Sequence, residues 1–307
     1  MSHLFIYSFY RFKSLQNIEE IKSNLDIFLK NKNIKGTILI AEEGINGSIS
    51  GSMKQLDDII KYIKIIIKIR KLDIKINKNK FHPFNRMKVR LKKEIVSLGK
   101  GDIDINRFRG KLVNPKDWDN IIKEKGVSII DVRNNFEICI GSFNNSINPR
   151  TDSFRDFPRA MEKMGLNKND KIAMYCTGGI RCEKASSYLK MKGYKKVYQL
   201  DGGIISYLDY TKNKRNKMLW KGECFVFDER VTINKNLLKG NYLQCYGCRR
   251  PLAKKDTRSK YYVKGVSCSY CFKKRSTSQM KRSIDRQRQI NIAKLRGKDH
   301  PFKKVSL

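Results

Sequence analysis

The stretch IAMYCTGGIRCEKASSYLKMKGY, Ile172–Tyr194, decides how the centre of this chain is read. A short apolar run leads into Cys176, two glycines follow, and from Arg181 to Lys192 the pattern turns helical. GVSIIDVR (Gly126–Arg133) and KKVYQLDGG (Lys195–Gly203) repeat the theme of an apolar strand ending in polar or glycine residues, with helical segments between them. This rhythm predicts an α/β domain over 116–216 with a mainly parallel sheet, whose ligands bind at the carboxyl ends of the strands.

Upstream, the order differs. LFIYSFYRF (Leu4–Phe12) alternates like a half-buried strand, and Ile18, Ile21, Leu25, Phe28 and Leu29 share one helical face, with Ser14 as the expected cap. KGTILIAEEGINGSISG reads as two strands joined through a glycine turn, a second helix starts near Met53, and KLDIKIN and MKVRLKKEIVSLG are strand-like. Strand, helix, two strands, helix and strand predict a ferredoxin-like, acylphosphatase-like α+β domain over 1–100. Gly101, Gly110 and Pro115 mark Gly99–Asp117 as a linker. The chain therefore reads as an α/β multidomain protein with a small cysteine-containing, basic region at 217–307.

Of the 307 residues, 67 are Lys or Arg and 29 are Asp or Glu, a formal net charge of +38. Such an excess favours polyanions, chiefly nucleic acid, although a bias towards Lys, Ile and Asn throughout accounts for part of it. From Asn241 onward 19 basic residues face 3 acidic ones, so this end is the electrostatic candidate for gripping RNA. The longest apolar-rich run, Ile59–Arg70, is broken by lysines and falls short of the ~20 apolar residues that cross a bilayer. Met1–Phe12 lacks the pattern of a signal peptide, so a cytoplasmic location is expected, with no membrane partner and with the eight cysteines as thiols or metal ligands.

The loop Cys176–Thr177–Gly178–Gly179–Ile180–Arg181 carries the chemistry. Glycines let backbone amides turn inward, and the following helix start adds partial positive charge, so the loop favours an anion at its centre. A thiolate is such an anion. Arg181 and the helix end are expected to lower the Cys176 pKa from ~8.5 and make it nucleophilic. The CxxxxR spacing is one residue tighter than the CxxxxxR of cysteine phosphatases, which suits a sulfur atom or small oxidised group better than a phosphate ester. Cys182 is either an auxiliary thiol for an oxidised Cys176 or a helix residue packed under the loop. Cys139 and Cys224 read as core or surface thiols.

DVRNNFE (Asp131–Glu137), YCTGGIRCEKAS (Tyr175–Ser186) and LDGGI (Leu200–Ile204) resemble the rhodanese domain, whose loop cysteine can hold a persulfide. Together with SFYRF (Ser8–Phe12), AEEGIN (Ala41–Asn46), RMKVR (Arg86–Arg90) and CFVFDER (Cys224–Arg230), they resemble the bacterial rhodanese-type tRNA uridine hydroxylases. That resemblance implies synthesis of 5-hydroxyuridine at the tRNA wobble position, with Cys176 as the catalytic cysteine and Arg181 facing the loop's anion. It also implies molecular oxygen as co-substrate and an electron donor that the sequence does not identify. The residues themselves show no nucleotide-cofactor fingerprint, no haem motif and no two-histidine iron site, since His3, His82 and His300 are scattered. A persulfide sulfurtransferase and a non-catalytic RNA-binding protein are the alternatives; DNA is not an expected partner.

Towards the end, Cys245–Cys248 and Cys268–Cys271 form two CxxC pairs suited to tetrahedral zinc, against a reading as vestigial or redox thiols. After Phe272 the sequence is basic, without a sustained apolar stripe, and reads as a solvated, partly disordered face. Lys273, Lys274, Arg275, Lys281, Arg282, Arg286 and Arg288 are its candidate phosphate contacts.

Overall fold

The computed structural model describes residues 4–101, 103–214 and 218–297. Strand β1 (Leu4–Phe12), helix α1 (Ile18–Leu29), β2 (Lys35–Ala41), β3 (Gly44–Gly51), α2 (Met53–Ile66), β4 (Asp73–Asn79) and β5 (Met87–Leu91) build the first domain. The sheet order is β4-β1-β3-β2-β5; the first four strands are antiparallel neighbours, giving the ferredoxin-like arrangement, and β5 adds in parallel beside β2. Tyr7, Phe9, Ile38, Ile40, Ile45 and Ile49 point from the sheet to Ile21, Leu25, Leu29, Leu56, Ile59 and Ile63 of the two helices, which form the core. The cap of α1 is Asn17, not Ser14, and its left-handed backbone (φ 50°) starts the helix without a side-chain bond, a conformation asparagine tolerates better than most residues. The opposite face of the sheet is polar and carries Ser8, Tyr10, Asn46 and Ser48.

Next come α3 (Ile105–Phe108), β6 (Lys111–Val113), α4 (Pro115–Lys123), β7 (Val127–Asp131), α5 (Asn135–Ile138), β8 (Gly141–Phe143), α6 (Phe157–Lys163), β9 (Lys171–Tyr175), α7 (Ile180–Met191), β10 (Lys196–Leu200) and α8 (Gly203–Thr211). Four strands form a parallel sheet in the order β6-β10-β9-β7. One face packs Trp118 of α4 and Ile204, Tyr207 and Leu208 of α8; the other packs Phe157 and Met161 of α6 and Cys182, Ala185 and Leu189 of α7. The stretch read as a linker holds α3 and β6, so the sheet begins at Lys111. Three residues are too few for a period to show in sequence.

The remainder is β11 (Trp220–Gly222), β12 (Cys224–Phe225), β13 (Thr232–Ile233), β14 (Leu243–Gln244), β15 (Pro251–Leu252) and α9 (Thr277–Leu295). β11 pairs with β8, which ties this region to the parallel-sheet domain. Within the stretch read as partly disordered, Thr277–Leu295 is thus a 19-residue helix, capped by Ser276 and Gln279 in a reciprocal box, and residues 298–307 lie outside the described ones. Its inner face carries Ser283, Arg286, Gln287, Ile290 and Ala293, helically spaced but largely polar, so no apolar stripe announces it. Among the described residues no helix is long and apolar enough to cross a membrane.

Candidate active site

Cys176 follows directly on β9 and is buried, 1% exposed, between the parallel sheet and the start of α7. The helix starts at Ile180, so Arg181 and Cys182 both lie in its first turn. Gly179 caps it with φ 100°, a backbone conformation that side chains rarely adopt, and its N–H donates to the Cys176 Sγ at 3.2 Å. Below the loop, the N–H groups of Ile204 and Ile205 hold the carbonyls of Cys176 and Thr177 at 2.9 and 3.1 Å. This close approach requires Gly203, since a Cβ there would lie 2.4 Å from the Cys176 oxygen. The LDGGI segment is therefore the floor of the loop. Thr177, Gly178 and Ile180 are half-exposed, and a Cβ at Gly178 would meet only open space.

Burial by itself would raise the Cys176 pKa, but a bond from the Cys182 thiol, the Arg181 charge and backbone N–H groups outweigh it and lower the value to about 6. Burial and the bond to Cys176 push the Cys182 thiol well up, so it remains protonated and can donate. Cys182 is buried in the first turn of α7, a place that accords both with an auxiliary thiol for Cys176 and with a helix residue packed under the loop. Cys139 is exposed, whereas Cys224 is buried and raised to about 12, chiefly by burial, with a bond to Thr177 acting in the opposite sense.

Arg181 does not face the loop alone. Its guanidinium makes bonds of 2.7 and 2.8 Å to Glu137, which is wholly buried, and one of 3.4 Å to Thr177. Although burial opposes ionisation of Glu137, Arg181 and then Arg133 hold its carboxyl below the usual carboxylate range. Arg133 in turn pairs with Asp131 at 2.6 and 2.9 Å and donates to the Gly141 carbonyl at 2.6 Å. The DVRNNFE segment is thus a buried ionic scaffold behind the loop. Sequence reasoning assigned no role to Glu137; its place in that segment was the available signal.

The polar face of the first domain closes on α7. The Tyr10 hydroxyl donates to Glu183 at 2.8 Å, where Arg109 also binds at 2.6 Å. Lys184, 2% exposed, reaches Glu43 at 2.6 Å, Glu94 at 2.5 Å and the Val96 carbonyl at 3.0 Å. Two segments outside the loop that carry the sequence resemblance therefore meet the second domain, SFYRF through Tyr10 and AEEGIN through Glu43, while RMKVR faces CFVFDER of the following region across a cleft.

Residues 114–209 match the family described as the rhodanese-like domain. The chain carries a rhodanese-like domain. Residues 4–95 match the UPF0176 acylphosphatase like domain, and the pair is consistent with the UPF0176 rhodanese family. Among solved structures, a rhodanese-related protein from Thermoplasma volcanium is 30% identical over 33% of this chain and 92% of that one, with a TM-score of 0.27. A rhodanese-like domain protein from Staphylococcus aureus is 26% identical over 32% and 90%, with a TM-score of 0.28. The reduced Bacillus anthracis CoADR-RHD structure is 21% identical over 56% of this chain and 29% of that one, with a TM-score of 0.33. A rhodanese-like domain supports catalytic cysteine chemistry of the sulfurtransferase-like or a related kind, and Cys176 stands in the loop between β9 and α7 within the matched residues.

Beyond the rhodanese-like domain, the sulfur atoms of Cys245, Cys248, Cys268 and Cys271 all lie within 4.8 Å of one another. Three of the contacts, Cys245 to Cys271, Cys248 to Cys268 and Cys268 to Cys271, are 3.8 Å. Zinc–sulfur bonds of ~2.3 Å in a regular tetrahedron separate the sulfurs by about 3.8 Å, so these residues fit the ion. Of the basic candidates, Arg275 is tied down by the Val266 and Gln279 carbonyls and Ser283, and Arg286 by the carbonyls of Tyr246 and Gly265. Lys274 lies over the Tyr270 ring, while Lys273, Lys281, Arg282 and Arg288 are exposed. His82 is engaged with Ser50, away from any cluster, and His3 and His300 lie outside the described residues.

Proposed function

We propose that the protein hydroxylates the wobble uridine of tRNA at carbon 5, with Cys176 as the catalytic thiol. One atom of molecular oxygen enters the C5–H bond, and the other leaves as water at the expense of two electrons from a reduced donor. The observation that carries this reading is the joining of a thiolate-stabilising rhodanese loop to an acylphosphatase-like domain through Tyr10, Glu43 and Glu94, in a chain of net charge +38. It is the combination that the sequence resemblance implies. In this reading Lys273, Lys281, Arg282 and Arg288 add phosphate contacts, and zinc at the four clustered cysteines holds the cysteine-rich region against the rest.

A second reading is favoured by the loop alone. Amide and thiol donors that stabilise a thiolate also stabilise a persulfide, and transfer of its outer sulfur to tRNA or to a thiol would use the same geometry. The two separate by product. Adding oxygen and replacing oxygen by sulfur change the nucleoside mass almost equally, so wobble nucleosides from cells with and without the protein should be analysed by fragmentation as well as mass. Loss of 5-hydroxyuridine without the protein supports hydroxylation; loss of a thiolated uridine supports sulfur transfer.

A further inference from the structure

A cleft of about 720 Å3 lies where β5, the segment after β12, the cysteine knuckle and α9 meet. Its lining is basic and aromatic. Arg86, just before β5, and Lys88 and Arg90 along it alternate with Val89, which is buried in the core, so the cations follow from strand alternation. Lysines on a sheet edge ordinarily need no ligand, because they discourage aggregation. Here, however, Arg249 comes from the turn after Cys248 and Arg286 from α9, and both converge on that face. Among the described residues no ion pair or side-chain hydrogen bond neutralises Arg86 or Lys88. Burial lowers the Lys88 pKa, and so do Arg86, Arg90 and Arg249. Of the two carboxylates in the lining, Asp228 pairs with Arg230 at 2.6 and 2.9 Å, whereas Glu229 accepts from the neutral Asn85 at 2.6 Å and keeps its charge. Arg86, Lys88, Arg249 and Arg286 therefore outnumber the one carboxylate left without a cation, an excess that suits an anionic ligand.

The aromatic side chains define what kind. Phe227 is 67% exposed, unusual for so large an apolar side chain, yet it is held in place edge-on by Phe225 at 5.0 Å. The Arg181 guanidinium stands 5.8 Å from its ring centre, so Phe227 borders both the cleft and the catalytic loop. Phe136 lines the cleft, and the adjacent Glu137 holds Arg181. A flat ring open on one side beside a row of unneutralised cations suits a base attached to a phosphate chain.

From this geometry we infer that the cleft binds single-stranded polynucleotide, with Phe227 as the stacking platform at the entrance to the Cys176 loop and Lys88, Arg249 and Arg286 on the phosphates. The inference deepens the proposed function, and it rests on that reading for the chemistry but not for binding. The probe is a short fluorescein-labelled oligouridylate, titrated against the full-length protein at several potassium chloride concentrations. Phe227→Ala should weaken binding roughly tenfold or more, and Phe227→Trp should retain it. Lys88→Gln with Arg249→Gln should reduce the logarithmic salt slope by about 1.4, at ~0.7 per single-strand phosphate contact. An unchanged Cys176 alkylation rate and melting temperature in Phe227→Ala would place the loss in the cleft. Wild-type affinity in both variants would overturn the inference, as would duplex RNA or an acidic peptide that binds as tightly and loses affinity in the same variants. If oligouridylate binding follows the prediction but tRNA gains no oxygen, the cleft stands and hydroxylation fails. If tRNA is hydroxylated while the cleft variants bind normally, the cleft assignment alone fails.

Discussion

Arg181 and Glu137 are joined by two charge-assisted hydrogen bonds, 2.7 and 2.8 Å long, so the arginine divides its charge between a buried carboxylate and the Cys176 sulfur. Arg181→Ala removes a cation and should raise the Cys176 pKa from about 6, shifting the midpoint of alkylation to higher pH. Glu137→Gln removes an anion and should shift it lower. Each change leaves a buried charge uncompensated and should cost about 3–5 kcal/mol of stability. Loosening of the loop would move both midpoints the same way, whereas opposite shifts establish the electrostatic coupling.

The Cys182 side chain lowers the Cys176 pKa, so Cys182→Ala should raise it while Cys182→Ser, which keeps a donor, should largely restore it. Alkylation rate as a function of pH reads the shift directly. The same group links to stability. Its folded pKa of about 6 lies below the ~8.5 of a free thiol, so its contribution is complete above ~8.5, declines as pH falls, and is gone below about 6. Denaturant titrations of Cys176→Ser across this window should lack that component of the pH slope.

Lys184 ties α7 to the first domain through Glu43, Glu94 and the Val96 carbonyl. Lys184→Met keeps most of the volume but leaves two partly exposed carboxylates without their cation. Since solvent reaches both carboxylates, the cost should be up to about 3 kcal/mol rather than that of a wholly buried pair. Proteolysis between the domains should accelerate; an unchanged cleavage rate would show that the contact does not hold them together.

Purified protein should contain about one zinc per chain, by the four-ligand logic of the Cys245, Cys248, Cys268 and Cys271 cluster. Replacing any one with serine should release the metal and loosen Tyr246 and Arg249, which the knuckle presents to the cleft. Metal-free protein with an unchanged melting temperature would remove zinc from the account.

The parallel-sheet domain and the ferredoxin-like domain were legible because strand and helix periods survive in Val127–Asp131, Lys171–Tyr175 and Ile18–Leu29. Cys176 and its glycines were legible because their spacing is local. Glu137 was not, since its partner lies 44 residues away on another element. Lys184 carries a misleading signal, because a lysine within a helix reads as solvated until acids 90 and 141 residues distant are brought to it. In α9 the docking face uses serine, arginine and glutamine, so a hydrophobic period gave no warning of a folded helix. Phe227 stood within the CFVFDER segment with no role of its own, and only its exposure beside Arg181 gives it one.

The most direct test of the central claim supplies isotopically labelled molecular oxygen to cells producing either wild-type protein or Cys176→Ser, then measures the label in wobble uridine of tRNA. The account predicts labelled 5-hydroxyuridine with the wild type and none with Cys176→Ser, which should be folded to the same extent. Labelled 5-hydroxyuridine at undiminished levels with Cys176→Ser, or an unlabelled, thiolated wobble uridine with the wild type, would contradict it.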